Sequence, residues 1–481
     1  MNAILRKEIR LLLPAWSLAM AMSTLPIWAR NGRILSQDFG ATVGTLLVFF
    51  AAGALLLSLS SFGAEMSFGT FPALLAQPRP RSKTWRMKIG VLASALALVV
   101  AASVFSFWLW KSIMLTYAYF TWREYACCLL SLALMAIAGG LWTTLLFRQL
   151  MTAFWCAILV PVLLVRVSWP VAWVVEDVRA IRFTTALGFL SCSYAILGYF
   201  LARWLFFHAQ DKPERETTDA VAWSFLPGFR TRRRPVTALV VKELRLQQGT
   251  LVIAAGLLVL HLAAVAVPEY FPPAVLAKYP FFYNVWMIWF LAPLLVSCGA
   301  IAEERRGRTL ESTLCLPMAE HWQFAIKMLV VFGLGIFLGA VLPWLLELLR
   351  AVWGMNAEPI KENPLPKFAL AAAGITAIGC YGSSMSDSFL QAFGAAVLLG
   401  VALIVAFGQV LGNGNQCSAV LIAVCLCLSY ANFKQLRMTW TQGLRNASFC
   451  LLVLVAAKCL MLALAGIFLR GQPLYPSLST H

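Results

Sequence analysis

Long apolar runs of roughly twenty residues, broken by short polar stretches, occupy most of the chain. They fall at 12–29, 41–62, 89–110, 124–147, 151–175 and 184–207, then resume at 250–268, 282–302, 328–349, 367–384, 388–410, 417–433 and 447–469. A helix needs roughly 20 apolar residues to cross a bilayer core. The pattern therefore predicts an all-α polytopic membrane protein of about 12–13 transmembrane helices. The first run follows Arg6, Lys7 and Arg10 and has no clear small-residue cleavage site, so it is expected to stay as an uncleaved first span. One long polar segment, His208–Pro235, interrupts the series. It divides the chain into a first half (1–208), a basic linker (209–235), a second half (236–433), and a loop with an extra C-terminal helix (434–481).

Composition agrees with the pattern. Of 481 residues, 61% are hydrophobic and 12% charged, whereas a soluble domain carries about 25% charged residues. The net charge of +18 follows from Lys and Arg gathering in loops on the cytoplasmic side. Most of them share one side when the N-terminus is placed inside, so a nucleic-acid partner is not needed to explain the charge. The cysteines sit mostly within apolar runs and form no C-x-x-C pair, so no metal or redox role is assigned.

The two halves repeat. Each opens with Lys-Glu-aliphatic-Arg ahead of a span: Lys7-Glu8-Ile9-Arg10 and Lys242-Glu243-Leu244-Arg245. Leu5, Ile9, Leu12 and Leu13, and less cleanly Val236, Val240 and Leu244, recur at helical spacing. This predicts a helix lying at the interface with its basic side toward lipid phosphates. After the second span each half has Ala-Glu (Ala64-Glu65, Ala302-Glu303), then Gly four residues on (Gly69, Gly307), a leucine-bearing segment, Pro (Pro78, Pro317) and Lys ten residues later (Lys88, Lys327). On this alignment the offset is 238 at the Glu and Gly and 239 at the Pro and Lys. The second copy adds Arg305, Arg306 and Arg308. A short amphipathic helix stopped by Pro is expected here, suited to docking a soluble partner.

In this order the motifs resemble the permease subunits of type-2 ABC exporters, with two permease units fused in tandem. The resemblance covers both halves. It implies six spans per half, elbow helices around Lys7, Glu8, Arg10 and Lys242, Glu243, Arg245, and coupling helices within Glu65–Pro78 and Glu303–Pro317. It further implies separate ATPase subunits, two copies per chain, that hold the ATP and Mg; no cofactor is bound by the chain itself. The expected function is ATP-driven export of a hydrophobic or amphipathic substrate by alternating access, in a bacterial inner membrane with the N-terminus cytoplasmic. Met66-Ser67-Phe68 stands where the second copy has Glu304-Arg305-Arg306, so the two docking surfaces are expected to differ.

The chain has no G-x-x-x-x-G-K-[ST] segment, so ATP hydrolysis is assigned to a partner and the chain is not expected to be an enzyme. "EERRGR", Glu303–Arg308, matches an E-E-x-x-x-R peptidase pattern. None of the four histidines has the setting that chemistry requires. A passive channel or scaffold is the alternative reading. Its candidate ionisable residues, Arg166, Glu347, Arg350 and Lys458, are too scattered to form a relay.

Overall fold

The computed structural model describes residues 3–28, 39–67, 69–76, 78, 80–114, 122–148, 150–173, 179–209, 235–266, 289–307, 309–315, 318–352, 365–411, 414–435 and, beyond these, 442, 445, 446, 448 and 449. The described residues of each of the first twelve apolar windows fall on helix. The thirteenth, with Lys458, lies outside the described residues apart from 448 and 449. Among the described residues there is no strand. Among the described residues, seven helices are long and apolar enough to cross a membrane, and four shorter ones are apolar. Its described secondary structure is helical throughout, and the seven apolar helices make it a membrane protein.

It divides into two units, Met1–Arg234 and Pro235–His481. Unit 1 holds α1 (Ala3–Trp28), α2 (Phe39–Ser67), the short α3 (Phe71–Leu75), α4 (Arg81–Met114), α5 (Trp122–Phe147), α6 (Leu150–Trp173) and α7 (Arg179–Phe207). Unit 2 holds α8 (Pro235–Leu246), α9 (Gln248–Ala266), α10 (Leu291–Arg306), the short α11 (Thr309–Leu314) and α12 (Glu320–Ile336). A π-helical turn (Phe337–Val341) then leads into α13 (Leu342–Val352), followed by α14 (Leu365–Met385), α15 (Phe389–Leu411) and α16 (Gly414–Phe433). The linker residues 210–234 lie outside the described set.

Burial separates central helices from peripheral ones. In unit 1, α5 packs against α2, α6 and α7, and α1 packs against α2 and α4. α7 leaves Phe189, Ile196, Leu197, Phe200 and Trp204 exposed along one stripe. A helix apolar on its outer face belongs in lipid. In unit 2, α14 takes the central place against α10, α15 and α16, while α8 packs on α12.

One contact fixes the central crossing in each unit. A Cβ added at Gly140 would lie 2.7 Å from Ser58 Cβ and 2.9 Å from the Ser58 carbonyl carbon. A Cβ added at Gly379 would meet the Ser297 hydroxyl and lie 2.9 Å from Ser297 Cβ. Small residues let the backbones approach where no hydrophobic force acts between helices in lipid. Ser58 and Ser297 turn their hydroxyls back to the carbonyls of Ala54 and Pro293, each four residues earlier. Their polar groups are thus satisfied inside the helix.

The elbow expectation holds as a separate helix only in unit 2. There α8 begins at Pro235, a residue suited to a first helical position, and ends at a turn on Gln247. The Gln247 side chain donates to the Val296 carbonyl (3.1 Å), which pins the turn to α10. In unit 1 the Lys7–Arg10 segment and the first span are one continuous helix, α1. The inward faces also differ from the expectation. Glu8 and Glu243 are buried, whereas Ile9, Leu13 and Val236 are exposed. A carboxylate takes the protein side because a buried lysine waits there.

Candidate coupling site at the charged helix ends

In unit 1 that lysine is Lys88, in the first part of α4. Its side chain is wholly buried. Its ammonium lies 2.8 Å from Glu8 Oε2 on α1 and 3.1 Å from Glu65 Oε2 at the end of α2, and donates to the Ser61 carbonyl at 3.2 Å. Lys7 closes the cluster from outside, 3.3 Å from Glu65 Oε1. In unit 2, Lys327 of α12 does the same. Its ammonium lies 2.8 Å from both oxygens of Glu243, 2.9 Å from Glu304 Oε2 and 3.1 Å from the Ala300 carbonyl. Lys242 lies 2.7 Å from Glu304 Oε1.

Each cluster contains two lysines and two glutamates, so it is neutral overall. An isolated buried ammonium or carboxylate is prohibitively costly, and pairing with further hydrogen bonds makes burial tolerable. Glu243 shows the balance: burial pushes its carboxyl above the usual range, against the pull of Lys327. Such clusters add little net stability over an apolar core, but they specify geometry. Each joins three elements at one point: the leading helix, the end of the second span and the start of the third.

A short helix hangs from each cluster. In unit 1, the Thr70 amide donates to the Glu65 carbonyl at 2.9 Å, and the Thr70 hydroxyl donates to it at 3.3 Å. In unit 2, the Thr309 hydroxyl donates to the Glu304 carbonyl (3.4 Å), and Lys242 donates to the Thr313 hydroxyl within α11. Phe71 and Leu74 of α3, and Leu310 and Thr313 of α11, face inward. Thr70, Pro72 and Ala73, and Thr309 and Glu311, face outward.

These contacts correct the sequence alignment. The structural counterpart of Glu65 is Glu304, not Glu303. With that pairing Ser61/Ala300, Glu65/Glu304, Thr70/Thr309, Lys88/Lys327 and the Ser58–Gly140/Ser297–Gly379 crossings all share one offset of 239. Gly69 and Gly307 are not equivalent. Gly69 has φ +64°, a left-handed turn that suits glycine, while Gly307 has φ −73° and caps α10. Adjacent glutamates made the one-residue error invisible in sequence.

The expected docking residues scatter accordingly. Glu65 and Arg305 are buried, so their side chains do not form a surface. Glu303 is half-buried beside Arg306, 3.5 Å away. Gly69, Pro78 and Gly307 are exposed, and Arg308 and Pro317 lie outside the described residues. Of the elbow residues, Lys7, Arg10 and Arg245 are exposed, Lys242 is partly so, and Glu8 and Glu243 are internal.

Arg305 instead builds a second polar centre, with no counterpart among the described residues of unit 1. It donates to the carbonyls of Ser384 in the last turn of α14 and Ser386 just after it, and at 3.0 Å to those of Asn432 and Gln435 at the end of α16. Helix ends leave carbonyls unpaired, and a guanidinium suits several at once. Asn432 donates to the Ser384 hydroxyl and accepts from Asn446, each at 3.1 Å. The chain beyond α16 is thereby tied to this centre. At the position matching Arg305 unit 1 has buried Met66; elsewhere in unit 1, Arg81 donates to the Phe207 and Ala209 carbonyls at the end of α7.

Sequence reasoning noted Lys88 and Lys327 only as spacing markers and passed over Glu304. The available signal was a lysine at the very start of each third span, directly against the apolar run, where an ionisable residue is costly and calls for a partner. The rival peptidase pattern also loses its geometry: Glu304 is held by Lys242 and Lys327, and Glu303 faces Arg306. No family model, curated protein or solved structure matches the chain.

Proposed function

We propose that the chain is the membrane-spanning permease of an ATP-driven ABC exporter, with two homologous permease units and separate ATPase subunits that press on α3 and α11. The observation that carries this reading is the Lys–Glu joint occurring twice, each time beneath a short helix with an exposed face. A push on α11 reaches Lys242 and Glu304 through Thr313 and the Glu304 carbonyl, and from there Lys327 in the third span. In unit 1 the same load runs from Thr70 through Glu65 to Lys88. Side chains locked in this way turn a local displacement into movement of three helices together.

The direction of work follows from linkage. The ATPase must bind two arrangements of the helices with different affinity, or its closure shifts nothing. The substrate class that suits apolar helix walls is hydrophobic or amphipathic. The reading places the charged ends, with the N-terminus, in the cytoplasm of a bacterial cell, because basic residues favour that side.

The test is affinity purification of the tagged, full-length chain in mild detergent after cross-linking in its native membrane. A stoichiometric soluble ATPase with a phosphate-binding loop, lost when Ala73→Arg and Glu311→Arg are combined, is the expected result. A preparation with no ATPase rejects the exporter reading in favour of a passive channel or scaffold.

A further inference from the structure

The two short helices hang from the same kind of joint but show a partner different surfaces. In unit 1 the acidic residues of the joint, Glu8 and Glu65, are both buried. The charges exposed around it are basic: Arg6, Lys7 and Arg10 on α1, and Lys83 and Arg86 on the first turns of α4. The outward side of α3 is small and uncharged, with Thr70, Pro72 and Ala73.

In unit 2 the outward side of α11 carries Glu311. At the 239 offset, Arg81, Ser82 and Lys83 are replaced by Glu320, His321 and Trp322, all three exposed. Lys434 at the end of α16 lies 3.0 Å from Glu320 and offsets its charge; the hydrogen bond holds the Lys434 ammonium above its ordinary pKa. Trp322 stays 60% exposed among the described residues. Arg245 on α8 is exposed as Arg10 is on α1, so the difference lies at the short helix and the start of the third span, where the described residues of unit 2 give an acid on α11, a neutralised pair and an aromatic side chain.

A partner made for the first surface presents acidic groups to Lys83 and Arg86 and a shallow seat for Pro72 and Ala73. A partner made for the second presents a basic group to Glu311 and an apolar recess for Trp322. Charge complementarity chooses partners mainly by penalising the wrong juxtaposition, and one surface does not satisfy both requirements. We propose that the two units dock two different ATPase subunits, an acidic-faced one on α3 and a basic-faced one with an apolar recess on α11. This rests on the permease reading above and names the two ATPases as unlike.

The test places a photo-cross-linking phenylalanine analogue at the position of Ala73 or of Glu311 in the full-length chain, irradiates native membranes and identifies the cross-linked polypeptides by mass spectrometry. The expected result is two different polypeptides with phosphate-binding loops, one per position. Combining Lys83→Glu with Arg86→Glu should lower the yield at position 73 at least about tenfold and leave that at position 311 unchanged. The same ATPase at both positions overturns this inference and leaves the permease reading intact. No ATPase at either position overturns both.

Discussion

Replacing Lys327 by Met tests the joint most directly. Methionine keeps the length and the apolar stem of lysine and removes only the ammonium. At an effective dielectric of ~20, an ion pair at 2.8–2.9 Å carries about 5–6 kcal/mol of gross attraction. Desolvation of the three ions offsets most of it, so this figure is not the cost of the substitution. The cost comes from what is left behind. Glu243 loses both of its contacts to Lys327, Glu304 keeps only Lys242, and the Ala300 carbonyl loses its donor. Breaking a buried pair in this way costs about 3–5 kcal/mol. For a unit of this size each kcal/mol moves Tm by about 2–4 °C, so a fall of roughly 10 °C is expected. The assay is thermal unfolding of the purified full chain in detergent, read by tryptophan fluorescence. The decisive comparison adds Glu243→Gln to Lys327→Met. That second change removes the stranded carboxylate, so the double variant should lose less than the sum of the singles, by about 1–3 kcal/mol. Strict additivity, or a Lys327→Met protein within about 2 °C of wild type, refutes the ion-pair account of the joint.

Other outcomes follow from the same geometry. Arg305→Met gives unit 2 the residue found at the equivalent place in unit 1, yet should lose about 2–4 kcal/mol, because buried helix-end carbonyls lose a charged donor. The reverse change, Met66→Arg, should also destabilise, since it puts a charge where a buried apolar side chain now sits; unfolding scans that show it tolerated contradict the asymmetry of the two units. Gly140→Ala should cost about 1–3 kcal/mol by the same scan, because the new methyl meets Ser58 backbone as well as side chain and the helices must separate.

Much of this protein is written in local pattern. A run of twenty apolar residues has one economical solution in lipid, a helix with every backbone group bonded internally. The first twelve windows could therefore be placed on helices from order and spacing alone. The internal repeat was legible for the same reason, since glutamates, prolines and lysines recur at nearly constant offset. Which glutamate plays which role was not legible. Glu303 and Glu304 are neighbours with the same chemistry, and a helix turns by about 100° per residue, so one faces Arg306 and the other Lys327. Arg305 likewise looked like a surface charge because its acceptors, at 384, 386, 432 and 435, are main-chain carbonyls far along the chain that no side-chain pattern announces. Sequence by itself determined the helices and their repetition, because those follow from backbone bonding and apolar burial within each segment. Only the tertiary structure decided which charges are internal, because a buried charge depends on a partner brought to it by another helix.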